Sequence, residues 1–260
     1  SEGSDAPFGY PEITRLSVFT SQGYFSSKKD FVRNSSTALL NPISVTLDEN
    51  GNMWVLNRGN LISSEVVEFS GDGTYIKTIS KINNATLPSL TSIYADKKGN
   101  LLLTGANQVI MLTTTGNLKK NVMNSNFGLI KKLILYNGYY WATSLDKNLV
   151  LKLDLNLNLA NSYSVCSSPS GIAFDSKGNM FVTSLFDNFV HVYDKSIKEI
   201  NKFGGSGKGN FKFYIPEDVD IDKDDIVYVA NSENGKISVF TSAGVPLFET
   251  PPNYPGITSI

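Results

Sequence analysis

Pro42-Ile43-Ser44-Val45-Thr46-Leu47-Asp48-Glu49-Asn50-Gly51-Asn52-Met53-Trp54-Val55 and Pro169-Ser170-Gly171-Ile172-Ala173-Phe174-Asp175-Ser176-Lys177-Gly178-Asn179-Met180-Phe181-Val182 are two copies of one phrase. Each is an apolar strand, a tight turn at Asp-x-x-Gly-Asn and a second apolar strand. The phrase recurs five times, aligned on the residue that closes its first strand: Asp48, Asp96, Asn137, Asp175 and Asp222, at intervals of about 38 to 48 residues. Two further strands follow each copy. Constant internal grammar with unequal spacing, four strands per unit and a period of about 40 residues, is the sequence form of a propeller blade with insertions in its loops.

Within each unit the chemistry agrees with that reading. Gly51-Asn52, Gly99-Asn100 and Gly178-Asn179 supply the positive φ that a tight hairpin needs, and Asn137-Gly138 does so one register earlier. Asp224-Asp225 departs from the pattern, so a looser turn is expected there. Second strands such as Met53-Trp54-Val55-Leu56 and Ile226-Val227-Tyr228-Val229 are near-continuous apolar runs, as in sheets buried on both faces. Fourth strands are more polar, which suits an outer edge. No stretch carries a helical period. The fold class is all-β.

The chain ends extend the pattern. Arg15-Leu16-Ser17-Val18-Phe19-Thr20 matches Lys236-Ile237-Ser238-Val239-Phe240-Thr241, so residues from about 13 to 32 read as third and fourth strands with no first or second before them. Pro255-Gly256-Ile257-Thr258-Ser259-Ile260 repeats Pro88-Ser89-Leu90-Thr91-Ser92-Ile93, a first strand. Five complete units and these two parts predict six blades, the last shared between the termini to close the ring. Its second strand is missing. The segment 6–12 is a poor substitute because it carries two prolines. Either the sixth blade is short or the chain is cut from a longer one.

At 260 residues, 41% apolar and 18% charged, the chain suits one large all-β domain spanning 1–260. A balance of 23 basic against 24 acidic residues speaks against a nucleic-acid binder, which relies on phosphate neutralisation. No apolar run approaches the roughly 18 residues of a membrane span. The start lacks Met, so the chain reads as a mature form or an excised piece, with a secreted, periplasmic or extracellular setting favoured. Asn34-Ser35-Ser36 and Asn84-Ala85-Thr86 are acceptor triplets for N-glycosylation, of a kind that also arises by chance. Cys166 stands alone and reads as a small apolar residue beside a strand.

Residues 202–248 resemble an NHL repeat. The match runs through the glycine-serine loop Gly204-Gly205-Ser206-Gly207, Phe211, Pro216, the strand Val219-Asp220-Ile221-Asp222, Tyr228-Val229-Ala230-Asn231 and Lys236-Ile237-Ser238-Val239-Phe240. Asn231 stands where the family usually has Asp, and Lys236 where it usually has Arg. Blade four matches well and the first three more loosely. The resemblance implies a six-bladed ring whose functions are mixed: binding proteins or RNA, sensing in membrane receptors, or, in related rings, lactone hydrolysis and cleavage of amidated peptides. Fold does not choose among these.

Gly204-Gly205-Ser206-Gly207-Lys208-Gly209 lacks the Ser or Thr after lysine and the helix that a phosphate-cradling loop needs, so it reads as an interblade loop. With His191 as the only histidine, placed on a third strand away from the axis, zinc lyase chemistry and a serine triad lack their ligands and base. Glu217, Asp218 and Asp220 stand where blade four has Ser170, Gly171 and Ala173. Acids near the axis must be hydrated, paired with a lysine or metal-bound. The last option would make a calcium-dependent hydrolase or lyase of the lactonase type.

The loops between second and third strands open on the face that also holds the fourth-to-first loops. They carry Arg58, Asn60, Asn107, Asp146, Lys147, Phe186, Asp187, Asn231 and Glu233. An exposed aromatic among mixed charges suits a contact with a protein or peptide partner. The bland alternative is that Asn, Asp and Gly are there as turn formers. RNA fits poorly, since only Arg58 and Lys147 are basic and no aromatic-basic interleaving occurs. The leading expectation is therefore a non-catalytic binding propeller without a cofactor, with the calcium enzyme as its alternative.

Overall fold

The computed structural model describes residues 16–19, 25–29, 39, 41–58, 63–252 and 257–260. Five four-stranded antiparallel sheets follow one another, each in simple meander order. Blade one is Pro42–Leu47, Met53–Asn57, Glu65–Phe69 and Tyr75–Ile79. Blade two is Ser92–Ala95, Asn100–Gly105, Gln108–Thr113 and Leu118–Met123. Blade three is Ile130–Tyr136, Tyr139–Ser144, Leu149–Leu153 and Leu159–Ser164. Blade four is Pro169–Phe174, Met180–Ser184, Phe189–Tyr193 and Glu199–Gly204. Blade five is Pro216–Ile221, Ile226–Asn231, Lys236–Thr241 and Pro246–Glu249. The helical element among the described residues is a single 3-10 turn, Ser232–Asn234.

The core lies between blades, which explains the continuous apolar second strands. In blade one, Trp54 and Leu56 pack against Ile93, Leu101 and Leu103 of blade two, while Met53 and Val55 face the other way with Val67 and Phe69. Leu102 of blade two points to Tyr140 and Ala142 of blade three. Trp141 meets Ile172, Met180 and Val182 of blade four, and Phe181 meets Val219, Val229 and Phe240 of blade five. A strand alternates sides every residue, so burial on both sides demands apolar residues at every position.

The carboxylates that punctuate the repeat brace its turns. Asp48 Oδ1 accepts from the backbone of Asn50 (2.8 Å) and Asn52 (3.0 Å), and its Oδ2 accepts from the Trp54 indole at 3.0 Å. Asp96 holds Lys98 and Asn100 in the same way and receives the Tyr140 hydroxyl from the next blade at 2.9 Å. The Asp222 turn is not looser, contrary to the sequence expectation. Asp225 takes the left-handed conformation (φ 60°) that glycine takes elsewhere, and its N–H closes on the Asp222 carbonyl at 3.1 Å. Aspartate is among the non-glycine residues that tolerate that region, and here its carboxylate reaches the neighbouring blade, accepting from the Ser176 N–H at 2.7 Å and the Ser176 hydroxyl at 2.6 Å.

Blades one to five stand in ring order. Leu16–Phe19 pairs with Phe25–Lys29 as a separate two-stranded sheet, matching the expected third and fourth strands of a divided blade. Residues 257–260 lie between blades five and one: the Thr258 hydroxyl donates to the Ile43 carbonyl (3.2 Å) and the Ile260 N–H to Asp218 Oδ2 (3.1 Å). The described residues thus form five complete blades, against the six expected, and no second strand joins the two parts assigned to the sixth. Segment 6–12 and Asn34 lie outside the described residues. Asn84 is exposed at the tip of a short hairpin of Lys81–Ile82 and Ala85–Thr86.

Candidate binding face and channel mouth

Several of the described polar residues of the loop face are committed to holding blades together. Asn107, Asn148 and Asn188 adopt the left-handed conformation (φ 57°, 57° and 62°) just before a third strand. Their Oδ1 atoms accept from Gly128 (2.9 Å), Ser168 (2.8 Å) and Ile215 (2.8 Å), each at the entry to the next blade. Their carbonyls accept from Asn124, Val165 and Gly205 at the end of their own blade. One asparagine therefore ties three segments. Asp146 likewise accepts from the Leu129 N–H at 2.6 Å, and Asn231, fully buried, accepts from Tyr214 (2.9 Å) and donates to Lys212 (2.8 Å). For Asn107, Asp146 and Asn231 the turn-forming role is the one the geometry shows.

The other loop residues divide. Arg58 is half-buried, donating from Nη2 to the Leu90 carbonyl at 3.2 Å, while its Nε is buried without a partner among the described residues. Asn60 lies outside the described residues. Lys147 and Glu233 are exposed. Phe186 is 75% exposed, the most exposed large apolar side chain among the described residues. Its loop is fixed on both sides: Leu185 N–H donates to the Ser168 carbonyl (3.1 Å), and Asp187 meets His191 Nε2 at 2.9 Å.

His191 is buried on the third strand of blade four, with Glu199 Oε2 at 3.0 Å from Nδ1 and Asp187 on the other nitrogen. Both ring nitrogens are taken by carboxylates. Cys166 is buried too. Burial pushes its thiol up to about 12 against the pull of the Tyr193 hydroxyl, so it is no nucleophile at neutral pH. The glycine-serine loop is an interblade connection as expected: Phe213 N–H donates to the Gly205 carbonyl (2.9 Å) and Gly207 N–H to the Phe213 carbonyl (3.0 Å). A Cβ at Gly204, where φ is 104°, would stand 2.2 Å from the Phe213 ring.

At the channel mouth the acidic strand of blade five finds lysines. Lys131 meets Glu217 Oε2 at 2.9 Å and Lys132 meets Asp218 Oδ1 at 2.6 Å. Both lysines start the first strand of blade three, so the pairs cross blade four. Lys132 also donates to the Val219 carbonyl at 3.0 Å. The crossing needs Gly171: a Cβ there would stand 2.5 Å from the Val219 nitrogen and 2.8 Å from Asp218 Oδ1. Burial pushes the Asp218 carboxyl up from its ordinary value, opposed by the Lys132 ammonium and the Ile260 N–H. Asp220 is exposed, and its Oδ1 accepts from the Ile221 N–H at 2.9 Å.

Of the three fates open to these acids, Glu217 and Asp218 show lysine pairing. Two carboxylates engaged by separate ammoniums, and a third bonded to its own backbone, are a poor oxygen cage for calcium, which wants six or more converging oxygens. Among the described residues no group of three or more His, Cys, Asp or Glu side chains gathers around one point. Lys131 and Lys132 escaped the sequence reading. Their signal was there: Ile130-Lys131-Lys132 aligns with Pro169-Ser170-Gly171 and Pro216-Glu217-Asp218.

A family model for the NHL repeat matches residues 213–240, within the stretch whose motifs resemble that family. No curated protein matches the chain. Solved structures do. The chain is similar to a streptogramin B lyase (TM-score 0.66, 14% identity, covering 93% of this chain and 78% of that one). It is also similar to a catalytically inactive histidine-to-alanine variant of virginiamycin B lyase from Staphylococcus aureus with quinupristin (TM-score 0.64, 16% identity, 96% and 78% covered). A protein of unknown function from Bacteroides caccae gives a TM-score of 0.65 at 13% identity, with 93% and 91% covered. At such identities the likeness concerns the fold alone. The chain is an all-β propeller of four-stranded antiparallel blades that carries an NHL repeat.

Proposed function

We propose that this protein is a non-catalytic binding propeller that holds a protein or peptide partner on its loop-rich face. The observation that carries the reading is Phe186, 75% exposed on a loop whose flanking residues are pinned to the blade. A rigid exposed aromatic loses little freedom on binding and buries a large area, which is the profile of an interface hot spot. Lys147 and Glu233, exposed on neighbouring loops, supply the charged rim. In this reading the ring has six positions, the sixth built from the N-terminal strand pair and residues 257–260.

The likeness to the lyases raises an enzymatic alternative, and one observation weighs against it. One of those neighbours is described as inactive once a histidine becomes alanine. Here the only histidine is His191, on a third strand with both nitrogens engaged by carboxylates. A displayed peptide library panned against the whole chain tests the binding reading. Selected peptides are expected to lose at least about tenfold in affinity against Phe186→Ala, the scale of a hot-spot truncation. Peptides that bind Phe186→Ala and the parent chain equally would remove this face from consideration.

A further inference from the structure

A second feature lies on the opposite face, at the seam of blades two and three. A groove of about 270 Å³ opens there, with Met111 in its lining, and three lysines surround it: Lys98 from the first turn of blade two, and Lys119 and Lys120 from that blade's fourth strand. Asn100 and, from blade three, Asn156 complete the rim.

The charges do not cancel inside the groove. Lys119 donates to Asn100 Oδ1 at 2.6 Å and Lys120 to the Asn156 carbonyl, both neutral acceptors. Each ammonium keeps further donors, because lysine has three and no acceptor. The side chain of Lys98 is exposed. One carboxylate, Asp96, belongs to the lining, and its oxygens are already occupied. Oδ1 accepts from the N–H groups of Lys98 and Asn100, and Oδ2 from the Asn100 amide at 2.6 Å and the Tyr140 hydroxyl at 2.9 Å. Asp154, the other acid near Lys120, is spent on its own turn. Hydrogen bonds from Asn158 and Asn156, with the Lys120 ammonium adding to them, hold its carboxyl below the ordinary range. Lys119 and Lys120 are thus anchored by neutral acceptors, with Asp154 as the one acid whose charge Lys120 feels, while Lys98 stands exposed.

We propose that this groove is a binding site for a small ligand bearing a phosphate or sulfate group. A tetrahedral oxyanion presents several acceptors to lysines spread over one strand and a turn, and such charge-assisted bonds are about twice as strong as neutral ones. The position of Lys119 and Lys120 is set by Asn100 and by Asn156 of the adjoining blade, so the site needs both blades to be assembled. The volume suits a group the size of a sugar phosphate, near the lower bound of ligand pockets.

Isothermal titration of the whole chain with inorganic pyrophosphate, glucose 6-phosphate and glucose 6-sulfate tests the assignment, with sodium chloride at matched ionic strength as the control. Saturable binding of at least one of these probes is expected, about tenfold weaker in Lys98→Ala and weaker again in Lys119→Ala with Lys120→Ala. Preference among the probes separates phosphate from sulfate. Lys98→Ala keeps the backbone bond to Asp96, so the fold is retained, and circular dichroism checks that. The same binding in Lys208→Ala, on the other face, is expected. No saturable binding to the parent chain, an equal effect of chloride, or affinity unchanged by the lysine variants overturns the proposal.

Discussion

The first strands of blades four and five hold the same place in the repeat, yet Ser170-Gly171 and Glu217-Asp218 do opposite things with it. Blade five puts two carboxylates at the channel wall. Blade four puts almost no side chain there, and the gap lets Lys132 of blade three reach Asp218 at 2.6 Å. The glycine is needed for its missing volume rather than for its backbone freedom, since its backbone is not left-handed and the nearest backbone atom would lie 2.5 Å from a Cβ. One repeat position thus serves as donor in blade three, passage in blade four and acceptor in blade five. Asp218 also ties this cross-brace to residues 257–260, because its second oxygen takes the Ile260 N–H. A repeat protein is usually stable through nearest-neighbour contacts; here a charge pair skips a blade.

The largest effect is expected from removing the donor. Lys132→Met leaves Asp218 buried with its charge uncompensated, and breaking a buried pair costs about 3 to 5 kcal/mol. Urea unfolding of the parent and variant chains measures it, and a loss below about 1 kcal/mol would show that the pair is not holding the channel. The pH dependence follows from the direction of the shift. Burial raises the folded-state value of Asp218 above the unfolded one, so the native state binds the extra proton, and its stability falls as pH rises between the two values. Without Lys132 the folded value rises further and the window widens. The deficit of Lys132→Met is therefore expected to shrink on acidification from about pH 8 to about pH 5. A deficit constant across that range would mean that lost packing, not charge, explains it.

Closing the passage comes next. Gly171→Ala places a methyl where Asp218 and Val219 already stand, and overpacking of this kind costs about 1 to 3 kcal/mol. Gly171→Ala combined with Lys132→Met is expected to be less damaging than the sum of the two, since the passage no longer has a lysine to admit. Strict additivity in a double-mutant cycle would separate the glycine from the cross-brace.

Much of this scaffold was legible because its causes are local. The Asp-x-x-Gly-Asn turns, apolar second strands and polar fourth strands each follow from residues within a single hairpin. The pairing within the cross-brace was not: Lys132 shares the repeat position of Asp218, but the two lie 86 positions apart and neither strand says that the intervening blade lets them meet. The acids at 217 and 218 could be flagged as expensive, but their neutralisation depended on lysines two blades away. On the loop face the sequence left two readings open, contact residues or turn formers. Nothing in the sequence showed which segment Asn107, Asp146 and Asn231 would hold, and each satisfies a backbone N–H at a blade junction. Asp225 did mislead, since aspartate does the work of glycine there.

The smallest expected effect on stability belongs to the face assigned to binding, and its smallness is the point. Phe186 is exposed and its loop is held by neighbours that remain when the ring is removed. Phe186→Ala is therefore expected to move stability by no more than about 0.5 kcal/mol, as surface changes do. Residues that hold the fold, such as Lys132 and Gly171, should lose stability when changed, whereas a residue kept for contact should lose affinity alone. The urea midpoint of Phe186→Ala, set beside its affinity for library-selected peptides, separates the two. A stability loss above about 1.5 kcal/mol would show that the ring packs in the folded chain more than its exposure indicates, and any affinity loss would then be a folding effect. An unchanged midpoint with weakened peptide binding would place Phe186 apart from the cross-brace, as contact surface carried by a scaffold braced elsewhere.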